Sequence, residues 1–181
     1  MNRLFFIFLF TTVALNTMLA QRNNYLHVSV DAGMVVNSEH DKKLGLGGTL
    51  SWLTVDNLIV PQSNNYISLG IKAMNNPYNE GKFVTSINNA KNDAFNYLMA
   101  LAGYRITQRS ATEGFFVEPR LGMVFGASGY TGLAFTPLAG YVYRNFDFSV
   151  YCDMGFGRER SAILKRNFFT PGLSFSYNFG F

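Results

Sequence analysis

From Phe169 to Phe181 the chain alternates without interruption. Phe169, Pro171, Leu173, Phe175, Tyr177, Phe179 and Phe181 form one set, and Thr170, Gly172, Ser174, Ser176, Asn178 and Gly180 the other. Side chains along a strand point to opposite faces in turn, so this segment is a strand with one greasy face and one small, polar face. In a soluble sandwich the greasy face would be the core, and the other would carry longer, charged groups. Small polar groups suit the crowded inside of a narrow barrel instead.

The same period recurs along the chain. In Leu26 to Met34 the apolar set is Leu26, Val28, Val30, Ala32 and Met34, against His27, Ser29, Asp31 and Gly33. Phe115 to Phe125 sets Phe115, Val117, Pro119, Leu121, Met123 and Phe125 against Phe116, Glu118, Arg120, Gly122 and Val124. Phe146 to Phe156 does so again, with Asp147, Ser149, Tyr151, Asp153 and Gly155 on the polar side. Fainter versions lie at Leu44 to Trp52, Ile67 to Ala73 and Leu133 to Tyr143. Each approximates the roughly 9–11 residues with which a tilted strand crosses a bilayer. The segment Tyr97 to Ile106 completes an even count. Its beginning, Asn92 to Ala102, also fits a short helix with Ala94, Leu98, Leu101 and Ala102 on one face; the neighbouring strands favour a strand.

The expected fold is therefore all-β, an eight-stranded antiparallel up-and-down transmembrane barrel. Long connections at Asn37 to Lys43, Asn75 to Asp93, Ala127 to Gly132 and Arg158 to Arg166 would share one end, and Thr107 to Gly114 and Asn145-Phe146 the other. Asp56 to Asn65 is long and mildly apolar for a turn on the second end. The run Gly45-Leu46-Gly47-Gly48 reads as strand glycine that lets barrel walls approach, not as a phosphate loop.

The N-terminus sets the compartment. Arg3 precedes an apolar run from Leu4 to Leu15, and Thr17-Met18-Leu19-Ala20 leads into the polar Gln21 to Asn24. That is the layout of a secretory signal, with cleavage expected after Ala20, and the run is too short for a spanning helix. Residues 1–20 are the signal and 21–181 the barrel domain. The only cysteine, Cys152, excludes an internal disulfide. Among 181 residues 15 are Lys or Arg and 11 Asp or Glu, and the net charge of +4 comes largely from one segment near the end, which gives nucleic-acid binding no footing.

The inward set carries Asp31, Glu118, Asp147 and Asp153 against Lys72, Arg105, Arg120 and Arg144. Buried charge must be paired, so these groups are expected to fill the interior as a self-neutralising network. A two-residue Asn145-Phe146 loop would put Arg144 opposite Asp147 and Gly140 opposite Tyr151 inside, with Tyr143 over Phe148 and Tyr141 over Val150 outside. His27, with Ser29 and Asp31, reads as a satisfied interior histidine. Trp52, Tyr25, Tyr66 and Phe181 are expected in an interfacial aromatic belt.

With its signal peptide, eight alternating segments and the ending Tyr177-Asn178-Phe179-Gly180-Phe181, the chain resembles the small outer-membrane β-barrels of the OmpA/OmpX type, in versions found in Bacteroidota. The resemblance implies an outer-membrane location and assembly by the barrel-assembly machinery, for which Tyr177, Phe179 and Phe181 match the terminal signal. It implies no single activity, because such barrels serve as anchors, adhesins, immune-evasion factors and, in a few cases, lipid-modifying enzymes. The reading is a non-catalytic structural or surface-binding protein without cofactor or metal. Its partners would be outer-membrane lipid and lipopolysaccharide, with Arg158, Arg160, Lys165 and Arg166 placed for phosphates and the 75–93 loop for an extracellular ligand. The alternatives are a lipid-modifying enzyme using Ser38, His40 and Asp41 in the first loop, and a small pore.

Overall fold

The computed structural model describes residues 24–38, 43–60, 63–157 and 166–181. The proposed signal and its cleavage site fall outside them. Strands β1 (Asn24–Gly33), β2 (Gly45–Val55), β3 (Tyr66–Pro77), β4 (Ala94–Thr107), β5 (Glu113–Gly126), β6 (Thr131–Tyr143), β7 (Phe146–Gly157) and β8 (Asn167–Gly180) close into one barrel in sequence order. All pairs are antiparallel, and closure comes from β1 against β8, with Val30 opposite Phe175 and Leu26 opposite Phe179. Closure leaves no row of unpaired backbone groups, which a hydrocarbon environment would penalise heavily.

The alternation divides the side chains as the period demands. Val30, Leu69, Phe115, Leu121, Leu133, Phe148 and Leu173 are exposed outside, while Ser29, Thr49, Ser51, Ser68, Thr136, Ser174 and Asn178 are buried inside. Of the segment that fitted either helix or strand, Asn92 and Asp93 end a helix and Ala94 to Ala102 are strand. Two short helices, α1 (Phe83–Asn88) and α2 (Ala90–Asp93), end where β4 begins. Leu98, Ala100 and Ala102 then face out, and Tyr97, Met99 and Leu101 in.

Prolines mark the places where the ladder is thinned. Pro119 lies directly opposite Pro137. At that height the β4–β5 pairing passes from Gly103–Arg120 to Ile106–Val117, and the β6–β7 pairing from Phe135–Met154 to Leu138–Tyr151. Each proline lacks the N–H that would have bonded its other neighbour.

Two expectations need correction. The β6–β7 turn is Arg144-Asn145, not Asn145-Phe146. Tyr143 pairs with Phe146, Val142 with Asp147, Gly140 with Ser149 and Leu138 with Tyr151. Both turn residues have positive φ, 48° and 72°, as a two-residue turn matched to strand twist requires. Asn145 is held there because its side chain donates to the Asn178 carbonyl at 3.0 Å and its own carbonyl accepts the Asn178 N–H at 2.9 Å. Arg144 is thus an exposed turn residue and leaves the interior network. Tyr25 and Tyr66 also depart from the belt. Both are buried, edge to face at 5.8 Å, where with Leu53 and Ala111 they close the barrel end that carries the termini. Trp52 and Phe181 do meet outside, at 4.7 Å.

One carboxylate organises the start of the 56–65 connection, while Thr107 bonds its far end at Asn64 and Asn65. Asp56 accepts the N–H groups of Leu58, Ile59 and Val60, each at 2.8 Å, and the Tyr104 hydroxyl at 2.5 Å. Leu58, Ile59 and Val60 stand exposed at its tip. Burial alone would raise the Asp56 pKa, but the bonds from Ile59, Tyr104, Val60 and Leu58 outweigh it and hold it at about 2. With the folded value below the ordinary one of about 3.9, the stabilisation is fully present above the ordinary value and is lost as pH falls through 2. Amide hydrogen exchange should therefore show Leu58 to Val60 losing protection as pH falls towards 2, and losing it at neutral pH in Asp56→Ala. Protection independent of pH over that window would show that the carboxylate does not hold the turn.

Candidate functional site

The interior charges form two groups stacked along the barrel. Nearer the termini, Glu118 on β5 bridges two guanidinium groups. Arg105 Nε donates to Oε2 and Arg120 Nε to Oε1, both at 2.6 Å. Arg105 Nη1 also lies 3.2 Å from Asp147 Oδ2, and its guanidinium sits 4.1 Å from the Phe116 ring centroid. His27 Nδ1 is 2.8 Å from Asn178 Oδ1 and 3.9 Å from Asp147, while Asn178 Nδ2 donates to the Ala111 carbonyl at 2.9 Å. With Nδ1 the donor to Asn178, the ring is tied through β8 to the turn that closes this end.

Higher up, Lys72 on β3 connects two carboxylates. Its Nζ lies 2.9 Å from Asp153 Oδ2 and 3.6 Å from Asp31 Oδ2, and 3.2 Å from the centroid of the Tyr151 ring. Asp153 accepts further bonds from Tyr97 (2.7 Å) and Thr136 (3.0 Å). Asp31 accepts from Ser29 (2.9 Å), Thr49 (2.6 Å) and Ser174 (2.5 Å). Its oxygens are thus shared among three hydroxyls and one ammonium, which is what a buried carboxylate needs.

Above Lys72 the interior turns apolar. Phe95, Tyr97, Tyr130 and Phe168 pack with Val35 and Met74 into a cluster, with Phe168 5.0 Å from Phe95 and 4.8 Å from Tyr97. Gly155 makes room for it, since a Cβ there would sit 2.1 Å from the Phe168 ring. Among the described residues, this cluster packs across the interior at one end, and Tyr25, Leu53, Tyr66 and Ala111 pack together at the other.

Seven of the eight predicted interior charges therefore lie inside, and Arg144 does not. Four carboxylates face Lys72, Arg105 and Arg120, with His27 as the remaining basic group. The hydroxyl and ring partners, Tyr97, Thr136, Ser174 and Phe116, were legible only as members of the inward set; nothing in the sequence assigns them to a particular carboxylate.

The end opposite the termini carries the longer connections. Its 75–93 segment is only in part a loop, since β3 runs to Pro77 and the short helices follow. Lys43 Nζ anchors it by donating to the Gly81 carbonyl at 3.2 Å. Of the cationic group near the C-terminus, Arg166 is exposed, and its carbonyl accepts from Gly157 N at 3.0 Å and the Tyr130 hydroxyl at 2.7 Å. Arg158, Arg160 and Lys165 fall outside the described residues, as do His40 and Asp41 of the alternative Ser38, His40 and Asp41 set. Tyr177 and Phe179 are in ring contact at 4.6 Å on the outer wall, with Phe181 beside Trp52.

No family model matches the chain, and no curated protein matches it. Solved structures do. The Neisserial surface protein A, NspA, superposes with a TM-score of 0.61 at 13% identity, over 88% of this chain and 97% of that one. Ail, the attachment invasion locus protein of Yersinia pestis, solved with the heparin analogue sucrose octasulfate, superposes with a TM-score of 0.54 at 15% identity, over 86% of this chain and 97% of that one. At such identities the likeness establishes the fold, that of the small eight-stranded outer-membrane barrels.

Proposed function

We propose that this chain is an integral outer-membrane protein with a structural or surface-binding role and no catalysis. It would be secreted through residues 1–20 and inserted by the barrel-assembly machinery through Tyr177, Phe179 and Phe181. The observation that carries the reading is the barrel's cross-section. Its outside is apolar, and among the described residues its inside is filled by ion pairs between two packed ends, which leaves little room for a channel or an internal catalytic cleft. What remains for contact is the rim away from the termini, where the long connections would face the cell exterior. The cationic 158–166 loop suits phosphates of lipopolysaccharide or sulfated polyanions, the latter in keeping with the heparin analogue held by Ail. The 75–93 segment is the second contact surface.

The refolded protein in planar bilayers should give no stable channels, while amine-reactive labelling of intact cells should reach Lys82 and Lys91. Reproducible ion-selective openings would make it a pore. Labelling only after the envelope is broken would reverse its orientation and remove the surface role.

A further inference from the structure

On the outer wall, a groove of about 490 Å³ runs across β2, β3 and β4. Its floor is Gly48 and Ala73, paired across β2 and β3. Leu46 on one side, with Leu98 and Phe125 on the other, form its banks. The furrow is lined mostly by apolar groups, and the barrel's outside is where hydrocarbon lies.

The end of the groove away from the termini is polar. Asn75 and Asn96 are paired there on the outward row, and Asn75 Nδ2 donates to Asn96 Oδ1 at 2.5 Å. Asn96 Nδ2 reaches the Ser86 carbonyl of α1 at 3.5 Å. Asn75 Oδ1 is left over. The residue is 7% exposed, and this oxygen has no hydrogen-bond partner among the described residues. A buried acceptor without a donor is unfavourable, and the residue that carries this one lines an apolar furrow.

Just beyond lies α1, with Phe83, Val84 and Ile87 exposed where a helix in a bilayer interface would present them. Lys43, Lys82 and Lys91 stand in this region against Glu80 and Asp93, an excess of positive charge at this end of the barrel, of the kind that attracts anionic headgroups.

We propose that this groove holds one membrane lipid through an amide-linked acyl chain. The chain lies over Gly48 and Ala73 between Leu46, Leu98 and Phe125. The amide N–H at its head donates to Asn75 Oδ1, and its phosphate faces the lysines. An ester-linked chain fits the furrow equally well but has no donor for Asn75. This site depends on the barrel lying in a bilayer and not on what the loops bind at the surface.

The mature chain can be reconstituted in nanodiscs holding equal amounts of sphingomyelin and phosphatidylcholine of matched chain length. Both carry phosphocholine, but only sphingomyelin offers an amide N–H and a hydroxyl. Native mass spectrometry after release should show one sphingomyelin retained in preference to phosphatidylcholine by about 2- to 10-fold, the equivalent of one net hydrogen bond. Asn75→Leu should abolish the preference but keep a bound chain, and Ala73→Phe should release both lipids. Heat-modifiable gel mobility verifies that each variant is folded. Equal retention of the two lipids by the parent protein overturns the proposal without any variant. So does an undiminished preference in folded Asn75→Leu.

Discussion

Glu118→Ala should lower the stability of the folded barrel by about 3–5 kcal/mol, the range for removing one partner of a buried pair. Glu118 is wholly buried and is the ion-pair partner of Arg120 as well as the closer partner of Arg105. Without it Arg105 keeps Asp147 at 3.2 Å, but Arg120 loses the carboxylate it touches and keeps only the more distant attraction of Asp31 and Asp147. Removing the charge and its partner together, as Glu118→Leu with Arg120→Leu, should recover a large part of the loss. The control is Arg144→Ala. On the register expected from sequence it would have orphaned Asp147; as an exposed turn residue it should change stability by no more than about 0.5 kcal/mol. Urea titration of folding into lipid vesicles, read by gel mobility, measures all of these. A Glu118→Ala loss near that of Arg144→Ala would mean that water reaches Arg120, and the packed interior would have to be abandoned.

The strands were legible because their signal is repeated at every second residue and does not depend on what lies across the sheet. Leu173, Phe175 and Phe179 had to face one way once the period was seen. Register is a different matter. It is set by which two residues adopt positive φ, and Asn145 fits either turn position, so Arg144-Asn145 and Asn145-Phe146 were equally consistent with the alternation. The choice is made by Asn178, thirty-three positions away, which bonds the Asn145 carbonyl and side chain. Tyr25 and Tyr66 were misplaced for a related reason. Parity puts both on the inward face, but a tyrosine near a strand end reads equally well as a belt residue until its partner is known. The Asp56 turn was opaque because a side chain supplies its hydrogen bonds, and one carboxylate holding three successive amides leaves no periodic trace. The groove at Asn75 combines both difficulties, since it needs Gly48, Ala73 and Leu98 in register from three strands and an orphan oxygen that no composition shows.

Phe175→Asp should prevent or severely weaken insertion while leaving the interior untouched. Phe175 is exposed on the outer wall of β8, opposite Val30 of β1 and Phe148 of β7. Its ring lies 4.9 Å from that of Phe148 and stacks at 5.7 Å on that of Phe146. A lysine or arginine on the lipid face near the midplane costs about 2–4 kcal/mol and an aspartate somewhat less. The loss of two aromatic contacts adds about 0.5–1.5 kcal/mol each. The same strand carries Ser174 and Ser176 on its other face, and Ser174 donates to Asp31. Ser174→Ala therefore removes one of several donors to a carboxylate that keeps Thr49, Ser29 and Lys72, and should cost only about 1 kcal/mol. Adjacent substitutions on one strand thus differ in kind, the first through lipid and the second through the interior. Detergent separates them. In a micelle, where charge at the wall is readily hydrated, Phe175→Asp should regain most of its folding, whereas the small deficit of Ser174→Ala should persist. If Phe175→Asp inserts into vesicles like the parent protein, that wall does not face lipid, and the chain is not the membrane barrel described.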